Sequence, residues 1–152
     1  MDAILDDQAI EAIYGKLKTH GLVVRKDQRL SGPDVQSVTV RSTLCGSELT
    51  LDAVIRDGHV QQLGWRARAC SLGQATTGIV VRHLAELDAV KVKTVGSQLQ
   101  AILKGRKTAC DWPELELFTF AEDMPVRHES AMLPFRALAQ LFKRASEKRG
   151  GA

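Results

Sequence analysis

The sequence lacks the features that mark secreted and membrane-spanning proteins. It contains only three cysteines, an odd number at wide spacing, which argues against a disulfide framework. Residues 1–4 do not show the basic and apolar pattern of a secretory leader. No apolar run approaches the length needed to cross a bilayer. We therefore expect a cytoplasmic protein without membrane segments.

Aromatic residues and excess charge are also scarce. Aromatic residues make up 5% of the chain, and 21 basic residues against 18 acidic ones give a formal net charge of only +3. Basic residues gather only near the end, at Lys143, Arg144, Lys148 and Arg149. A nucleic-acid-binding surface usually shows a basic stripe interleaved with aromatic side chains. The composition therefore argues against a nucleic-acid partner.

The apolar content that is present is sufficient for one hydrophobic core. The chain has 152 residues, of which 44% are hydrophobic, and this predicts a single domain over residues 1–152. Apolar residues at helical spacing over residues 7–20 predict an opening amphipathic helix. The next stretch, residues 22–33, loses this period and ends in turn-forming residues, so a loop is expected there.

Strand patterns follow this loop. Apolar and polar residues alternate over residues 35–42 and again over residues 48–55. A third run, residues 59–65, follows the dipeptide Asp57-Gly58, which is a strong signal for a tight hairpin turn. The sequence therefore predicts a three-stranded antiparallel meander.

The meander brings two of the three cysteines to one end of the sheet. Cys45 lies in the first connection, and Cys70 follows the third strand just before a helix expected to begin at Ser71, where Ser71 and Gln74 form a capping-box pattern. Because the second strand runs away from the first connection and the third runs back, both thiols should share one rim. A thiol at a helix N-terminus favours the thiolate. The pair is a candidate for metal or sulfur chemistry, and the alternative is that both are buried apolar thiols.

The rest of the chain is predicted to be helical, which makes the fold class α+β with helices on one face of the sheet. Helices are expected from Ser71 to about residue 87, around residues 95–103, from Pro113 to about residue 118, and over residues 131–147, with loops at residues 106–109 and 122–130. Cys110 is interpreted as a thiol packed beside Trp112.

Three short motifs lie at the ends of these predicted elements. They are Cys-Gly at Cys45, Cys-Ser-Leu-Gly-Gln-Ala-Thr-Thr from Cys70, and Pro-Val-Arg-His-Glu-Ser-Ala-Met-Leu from Pro125. Together they resemble the U-type iron-sulfur cluster scaffold family, whose members include IscU, SufU and the N-terminal domain of NifU. The resemblance covers residues 36–141, is greatest to the SufU branch, and implies a SufE/NifU-like fold.

The sequence departs from the family pattern at two ligand positions. In the family, two cysteines, an aspartate and a third cysteine hold zinc or a nascent cluster, and the third cysteine is implicated in accepting sulfur from a cysteine desulfurase. Here the aspartate is Ser47 and the third cysteine is Ser130. A neutral hydroxyl is a far poorer ligand than a thiolate or a carboxylate. The resemblance therefore implies a site of Cys45, Cys70 and Ser130 that holds iron, a cluster or zinc weakly.

Two further residues, His128 and Glu129, are candidates to complete the metal ligands beside Cys45 and Cys70. Glu129 falls where IscU has a histidine ligand, and carboxylate and imidazole groups both bind zinc or iron. The alternative is that both are solvated residues on a loop before the last helix.

The resemblance implies a non-enzymatic scaffold or carrier in iron-sulfur cluster assembly. Its cofactor would be an iron-sulfur cluster or iron, or else zinc, and its partners a cysteine desulfurase and other assembly proteins. The alternative, which Ser47 and Ser130 favour, is a divergent paralogue that acts as an interaction or regulatory module. Sulfurtransferase activity would require a persulfide acceptor, and only Cys45 or Cys70 could serve.

Overall fold

The structure is a computed structural model that describes residues 7–150, with side chains described to residue 147. Residues 1–4, predicted to lack a leader, and the side chains of Lys148 and Arg149 lie outside the described residues. The described elements are α1 (Asp7–Gly21), β1 (Gln36–Arg41), β2 (Glu48–Arg56), β3 (His59–Arg68), α2 (Ser71–Arg82), α3 (Ala89–Leu103), α4 (Pro125–Ala131) and α5 (Leu133–Gly150), with 3-10 segments Leu22–Val24, Leu84–Glu86 and Pro113–Asp123.

The three strands form an antiparallel sheet in the order β1-β2-β3, which confirms the predicted meander. Asp57 and Gly58 connect β2 to β3 with φ angles of 53° and 78°. Two positive φ angles in a row suit the right-handed twist of a hairpin. At the other end of the sheet Arg41 pairs with Glu48, and Glu48 pairs with Arg68. The first connection and the end of β3 therefore lie at one rim, as predicted.

The helices cover one face of this sheet, as predicted. Helix α5 packs against β1 and β2, and α2 packs against β3. The strand residues that point toward the helices are apolar and almost fully buried, and burial of this surface is the main force that holds the layers together. They are Val38, Val40, Leu49, Leu51, Ala53, Leu63, Trp65 and Ala67.

The loop that contains Arg29 and Leu30, between α1 and β1, covers part of the opposite face of the sheet. Asp52 points to that face and is fully buried, because Arg29 lies over it and bonds both carboxylate oxygens at 2.7 and 3.0 Å. The backbone N–H of Leu30 and the hydroxyl of Ser37 also donate to this carboxylate, at 2.9 and 2.6 Å. Burial alone would raise the pKa of Asp52, but the hydrogen bonds outweigh it and the pKa lies below its usual value.

Helix α1 crosses α2 at two glycines. A Cβ atom at Gly78 would collide with the carbonyl oxygen of His20, and one at Gly21 would lie 3.2 Å from the Cβ of Gln74. The backbones of the two helices can approach this closely only because these positions lack side chains. The N-terminal helix is thereby fixed against the helix that carries Cys70 at its start.

The predicted start of α2 is confirmed, but its cap and its end are wrong. The residue before the helix, Cys70, makes no capping hydrogen bond with its side chain. Gln74 donates instead to the carbonyl of Ala69 at 2.8 Å, so the predicted capping box does not form. The helix ends at Arg82, and a 3-10 turn follows where the sequence predicted continued helix to residue 87.

The predicted loop at residues 122–130 is wrong, because Pro125–Ala131 forms α4 and the last helix begins at Leu133. A proline at the first helical position lacks only an N–H that would be unpaired anyway. Helix α3 is longer than predicted and begins at Ala89, since the Asp88 carboxylate accepts a hydrogen bond from the N–H of Lys91 and caps it. The Pro113 segment is a 3-10 helix. Across residues 7–150, no helix is both long and apolar enough to span a membrane.

Candidate functional site

The two thiols predicted to share a rim do so. Cys45 is exposed on the tight connection between β1 and β2, where Gly46 has a φ angle of 73°. The backbone N–H of Ser42 donates to the carbonyl of Ser47 at 2.8 Å and closes this connection. Cys70 is half-buried at the N-terminus of α2. The register of the sheet places both cysteines just beyond its last paired row.

Two serine hydroxyls connect the thiols. The Cys70 thiol donates to Ser130 Oγ at 3.3 Å, and Ser130 Oγ donates to Ser47 Oγ at 3.0 Å. Ser47 Oγ lies 3.2 Å from the Cys45 sulfur. Both serines are buried, at 3% and 0% exposure. Ser47 and Ser130 therefore contact each other between the two cysteine sulfurs.

A third serine completes this hydroxyl cluster. Ser42 Oγ lies 3.2 Å from the Cys45 sulfur and accepts a hydrogen bond from the Cys45 N–H at 3.3 Å. Ser42 was not among the site residues predicted from the sequence. The available signal was its position three residues before Cys45, because a serine hydroxyl often bonds a backbone group a few residues away.

The hydroxyl cluster changes the acidity of Cys45. Partial burial of the thiol would raise its pKa, but hydrogen bonds from Ser42, Ser47 and Ser130 outweigh this and lower the pKa from 9.0 to about 7. Cys45 is thus substantially ionised at neutral pH and exposed to solvent, the two properties of a reactive or metal-binding thiol. Cys110 differs, because burial raises the pKa of its thiol. It donates to the carbonyl of Trp112 at 2.9 Å, beside which it was predicted to lie.

A glycine in the first turn of α2 allows Ser130 to reach this site. A Cβ atom at Gly73 would lie 2.5 Å from Ser130 Oγ and 3.1 Å from the Ser130 carbonyl oxygen. Helix α4, which carries Ser130, packs against α2 at this point. The close approach of the two helices therefore depends on the missing side chain at Gly73.

The structure does not bring His128 and Glu129 to the sulfurs. His128 Nε2 bonds the carbonyl oxygen of Ala121 at 2.6 Å. The Glu129 carboxylate accepts hydrogen bonds from the N–H and hydroxyl of Thr43, at 3.0 and 3.1 Å, and from Arg136 at 3.4 Å. Glu129 thus anchors the connection that carries Cys45, while His128 faces the Pro113–Asp123 segment.

The hydrogen-bonded cluster around the sulfurs consists of two thiols and three hydroxyls. Within residues 7–150, no group of three or more His, Cys, Asp or Glu side chains is arranged to hold a metal ion. Structural zinc sites use four ligands, and iron sites of this type use thiolates. Cys45 and Cys70 can therefore supply two strong ligands but do not form a closed site.

Other titratable residues lie at the opposite end of the sheet or have structural partners. His59 pairs with Arg56 at the opposite end of the sheet. Arg68 binds the Asp27 carboxylate through two hydrogen bonds of 2.7 and 2.8 Å. His83 lies between Glu86 and Glu114, at 2.7 Å from each, and stacks on the Trp112 ring.

The fold matches solved structures of related architecture. A nitrogen-fixing NifU-like protein (N-terminal) from Brucella abortus is 28% identical, with a TM-score of 0.80, and the match covers 91% of this chain and 98% of that one. A protein of Fervidobacterium islandicum AW-1, assigned as an iron-sulfur cluster assembly scaffold of the SUF system, is 14% identical with a TM-score of 0.69, over 84% and 95% of the two chains.

Sequence comparison alone is less informative. No protein-family model matches the chain, and no curated protein matches its sequence. The structural matches nevertheless confirm the predicted fold class and the resemblance to the U-type iron-sulfur cluster scaffold family.

Proposed function

We propose that this chain acts in iron-sulfur cluster assembly as a scaffold-like protein rather than as an enzyme. The proposal starts from its structural resemblance to U-type scaffolds. It would present Cys45 and Cys70 to iron or a nascent cluster, which is its cargo. One observation supports this most directly: the two sulfurs reach one rim and are joined through Ser47 and Ser130. A chance pair of core cysteines would show neither the shared rim nor the polar connection.

The chemistry of the rim suits a transient cargo. Thiolates are soft ligands that favour iron, zinc and iron-sulfur clusters. Cys45 is exposed, and its pKa of about 7 makes the thiolate available without a strong base. The hydroxyl of Ser130 lies 3.3 Å from the Cys70 sulfur, and polar groups beside the sulfurs tune such sites. With only two thiolate ligands, we expect weaker holding than in a four-ligand site.

His128 and Glu129 are not part of this proposed ligand set. For His128 to bind a metal, its ring would have to leave the carbonyl of Ala121. For Glu129 to do so, its carboxylate would have to release Thr43 and free the connection that positions Cys45. The first change would break a contact between α4 and the Pro113–Asp123 segment, and the second would loosen the connection that carries Cys45.

Metal binding by purified protein tests the proposal. Anaerobically purified protein would be loaded with ferrous iron and sulfide, or with zinc, and its metal content and visible absorption measured. We expect bound metal in the unmutated chain, and loss of it in both Cys45→Ser and Cys70→Ser. Cys110→Ser is the matched control and should retain the metal. Equal metal content in all four proteins would contradict the proposal.

A second candidate is an interaction or regulatory module that contacts a cysteine desulfurase without binding metal. The contact between Ser47 and Ser130 favours it, because hydroxyls occupy two positions where the family has ligands. This alternative predicts that neither the unmutated chain nor the Cys45→Ser/Cys70→Ser double variant holds metal, and that both bind the purified desulfurase. Bound metal in the unmutated chain that is lost in the double variant would instead support the first candidate.

A further inference from the structure

An apolar groove lies between α3 and α5, and its lining includes neither Cys45 nor Cys70. It has a volume of about 530 Å³. Its floor includes Val92 and Gly96 from α3 and Phe135, Ala139 and Phe142 from α5. Gly96 lets Phe135 of α5 pack closely against α3, because the nearest atoms to a Cβ built there belong to Phe135 and lie at 3.4 Å.

The charged residues that line this groove are all basic. They are Lys93, Arg136 and Lys143, and no Asp or Glu lies among the lining residues. Arg136 bonds Glu129, whereas Lys93 and Lys143 form no ion pair with any residue in the described part of the chain. Two unpaired cations therefore flank an apolar floor. Such a surface is complementary to an apolar segment flanked by carboxylates.

The shape of the groove suits a helix. Its walls are two packed helices whose lining residues repeat at intervals of three or four, as at Val92 and Gly96 or Phe135 and Ala139. A third helix can lay an apolar ridge between such rows. The α3 lining runs from Ala89 to Gln100, which corresponds to about 17 Å of helix and so to roughly three turns of an occupant.

We propose that the groove between α3 and α5 binds an acidic amphipathic helix of a partner protein. The occupant would place apolar side chains on the floor and carboxylates opposite Lys93 and Lys143. One end of the groove lies at Arg136, which bonds Glu129, and Glu129 holds Thr43 in the connection that carries Cys45. A bound partner would thus lie beside the thiol rim. The proposal does not require metal binding, so the Cys45→Ser/Cys70→Ser variant should bind the same helix.

Selection of peptides tests the proposal. Phage-displayed random 16-residue peptides would be selected on the full-length chain, and enriched peptides measured by fluorescence anisotropy. We expect peptides with apolar residues at helical spacing and flanking Asp or Glu. Binding should fall about tenfold in Lys93→Glu/Lys143→Glu and weaken as salt is added, since rim charges act over a screened range. Ala139→Arg, which fills the groove while adding a positive charge, should also abolish binding.

Charge-matched variants distinguish this surface from general attraction. Lys16→Glu/Lys18→Glu changes two exposed cations on α1 and should bind the peptides as the unmutated chain does. Thermal unfolding confirms that each variant is folded. Enriched peptides without acidic residues, or equal affinity for the groove variant and the α1 variant, would overturn the proposal. So would self-association of the chain through this groove, or displacement of the peptides by oleate, each of which assigns a different occupant.

Discussion

The hydroxyl of Ser130 donates a hydrogen bond to Ser47 Oγ over 3.0 Å, although the two residues are 83 positions apart in the chain. Because Ser130 supplies the proton in this contact, the Ser47 proton is free to point at the Cys45 sulfur 3.2 Å away. The chain of bonds from Cys70 through both serines is thus directed toward Cys45. An aspartate and a cysteine, which the resemblance to U-type scaffolds implies for these two positions in that family, would place further negative charge beside the thiolates. The hydroxyls of Ser47 and Ser130 are neutral and add no such charge.

The first prediction concerns the acidity of Cys45. Its alkylation by iodoacetamide should follow the thiolate fraction, with a midpoint at about pH 7, nearly complete ionisation above it and falling rates below it. Ser47→Ala removes a hydrogen bond that favours the thiolate, so its midpoint should move toward the ordinary value of 9.0. Mass spectrometry of the modified peptide gives the rate. Cys110, whose pKa is raised by burial, is the internal control and should react slowly throughout. An identical midpoint in Ser47→Ala would contradict this account.

Local signals were sufficient to predict the sheet and the position of the two cysteines. Alternation of apolar and polar residues identified each strand, and Asp57-Gly58 fixed the hairpin because both residues accept positive φ. Once an antiparallel meander is assumed, the end at which Cys45 and Cys70 lie follows from chain direction alone. The packing of α2 at Gly78 could not be predicted, because it depends on which helix lies opposite.

The features that were missed are short or depend on distant residues. Helix α4 has seven residues, too few to display a helical period, and it is held by its packing against α2 at Gly73. Gln28 exchanges two backbone hydrogen bonds with Trp65 at the edge of β3, a pairing that no local pattern indicates. The placement of His128 against Ala121 likewise depends on the unpredicted α4.

The second prediction concerns the crossing of α1 and α2. Gly78→Ala places a methyl group against the carbonyl oxygen of His20, a backbone atom that cannot rotate away. We expect a loss of about 1–3 kcal/mol in the free energy of unfolding, measured by urea denaturation. Gly15→Ala is the matched control, because a Cβ at this helical position meets open space and should stabilise the helix by roughly 0.5–1 kcal/mol. Equal effects of the two substitutions would show that the crossing is not tight.

The third prediction concerns the dependence of stability on pH. The pKa of Asp52 is lower in the folded chain than in the unfolded chain, so its charge stabilises the fold above about pH 4 and this contribution is lost as pH falls through the folded pKa. Asp52→Asn should lower the free energy of unfolding at pH 7 by about 1–3 kcal/mol, and lose less stability than the unmutated chain on acidification.

Urea unfolding at neutral and acidic pH measures this difference. Asp34→Asn is the control, since its exposed pair with Arg56 at 3.1 Å should contribute less than about 1 kcal/mol. An Asp52→Asn protein that loses as much stability on acidification as the unmutated chain would show that the Arg29–Asp52 pair is not the source of the pH dependence.

The last prediction restores the two ligands that the family pattern contains. Ser47→Asp/Ser130→Cys replaces two hydroxyls that contact each other with two ionisable groups, both buried and both close to the existing thiols. Without metal, crowding of like charges and loss of the hydroxyl bonds should destabilise the fold by about 1–3 kcal/mol.

Zinc should reverse this destabilisation, because a ligand at a hundredfold excess over its dissociation constant stabilises the native state by about 2.7 kcal/mol. The unmutated chain, with two thiolates, should gain less from the same zinc concentration. Ser47→Ala/Ser130→Ala also removes the hydroxyl bonds but adds no ligand, so zinc should stabilise it no more than it stabilises the unmutated chain. A variant with all four ligands whose unfolding temperature does not respond to zinc would mean that Cys45, Ser47, Cys70 and Ser130 are close enough to share hydrogen bonds but are not arranged around a common metal position.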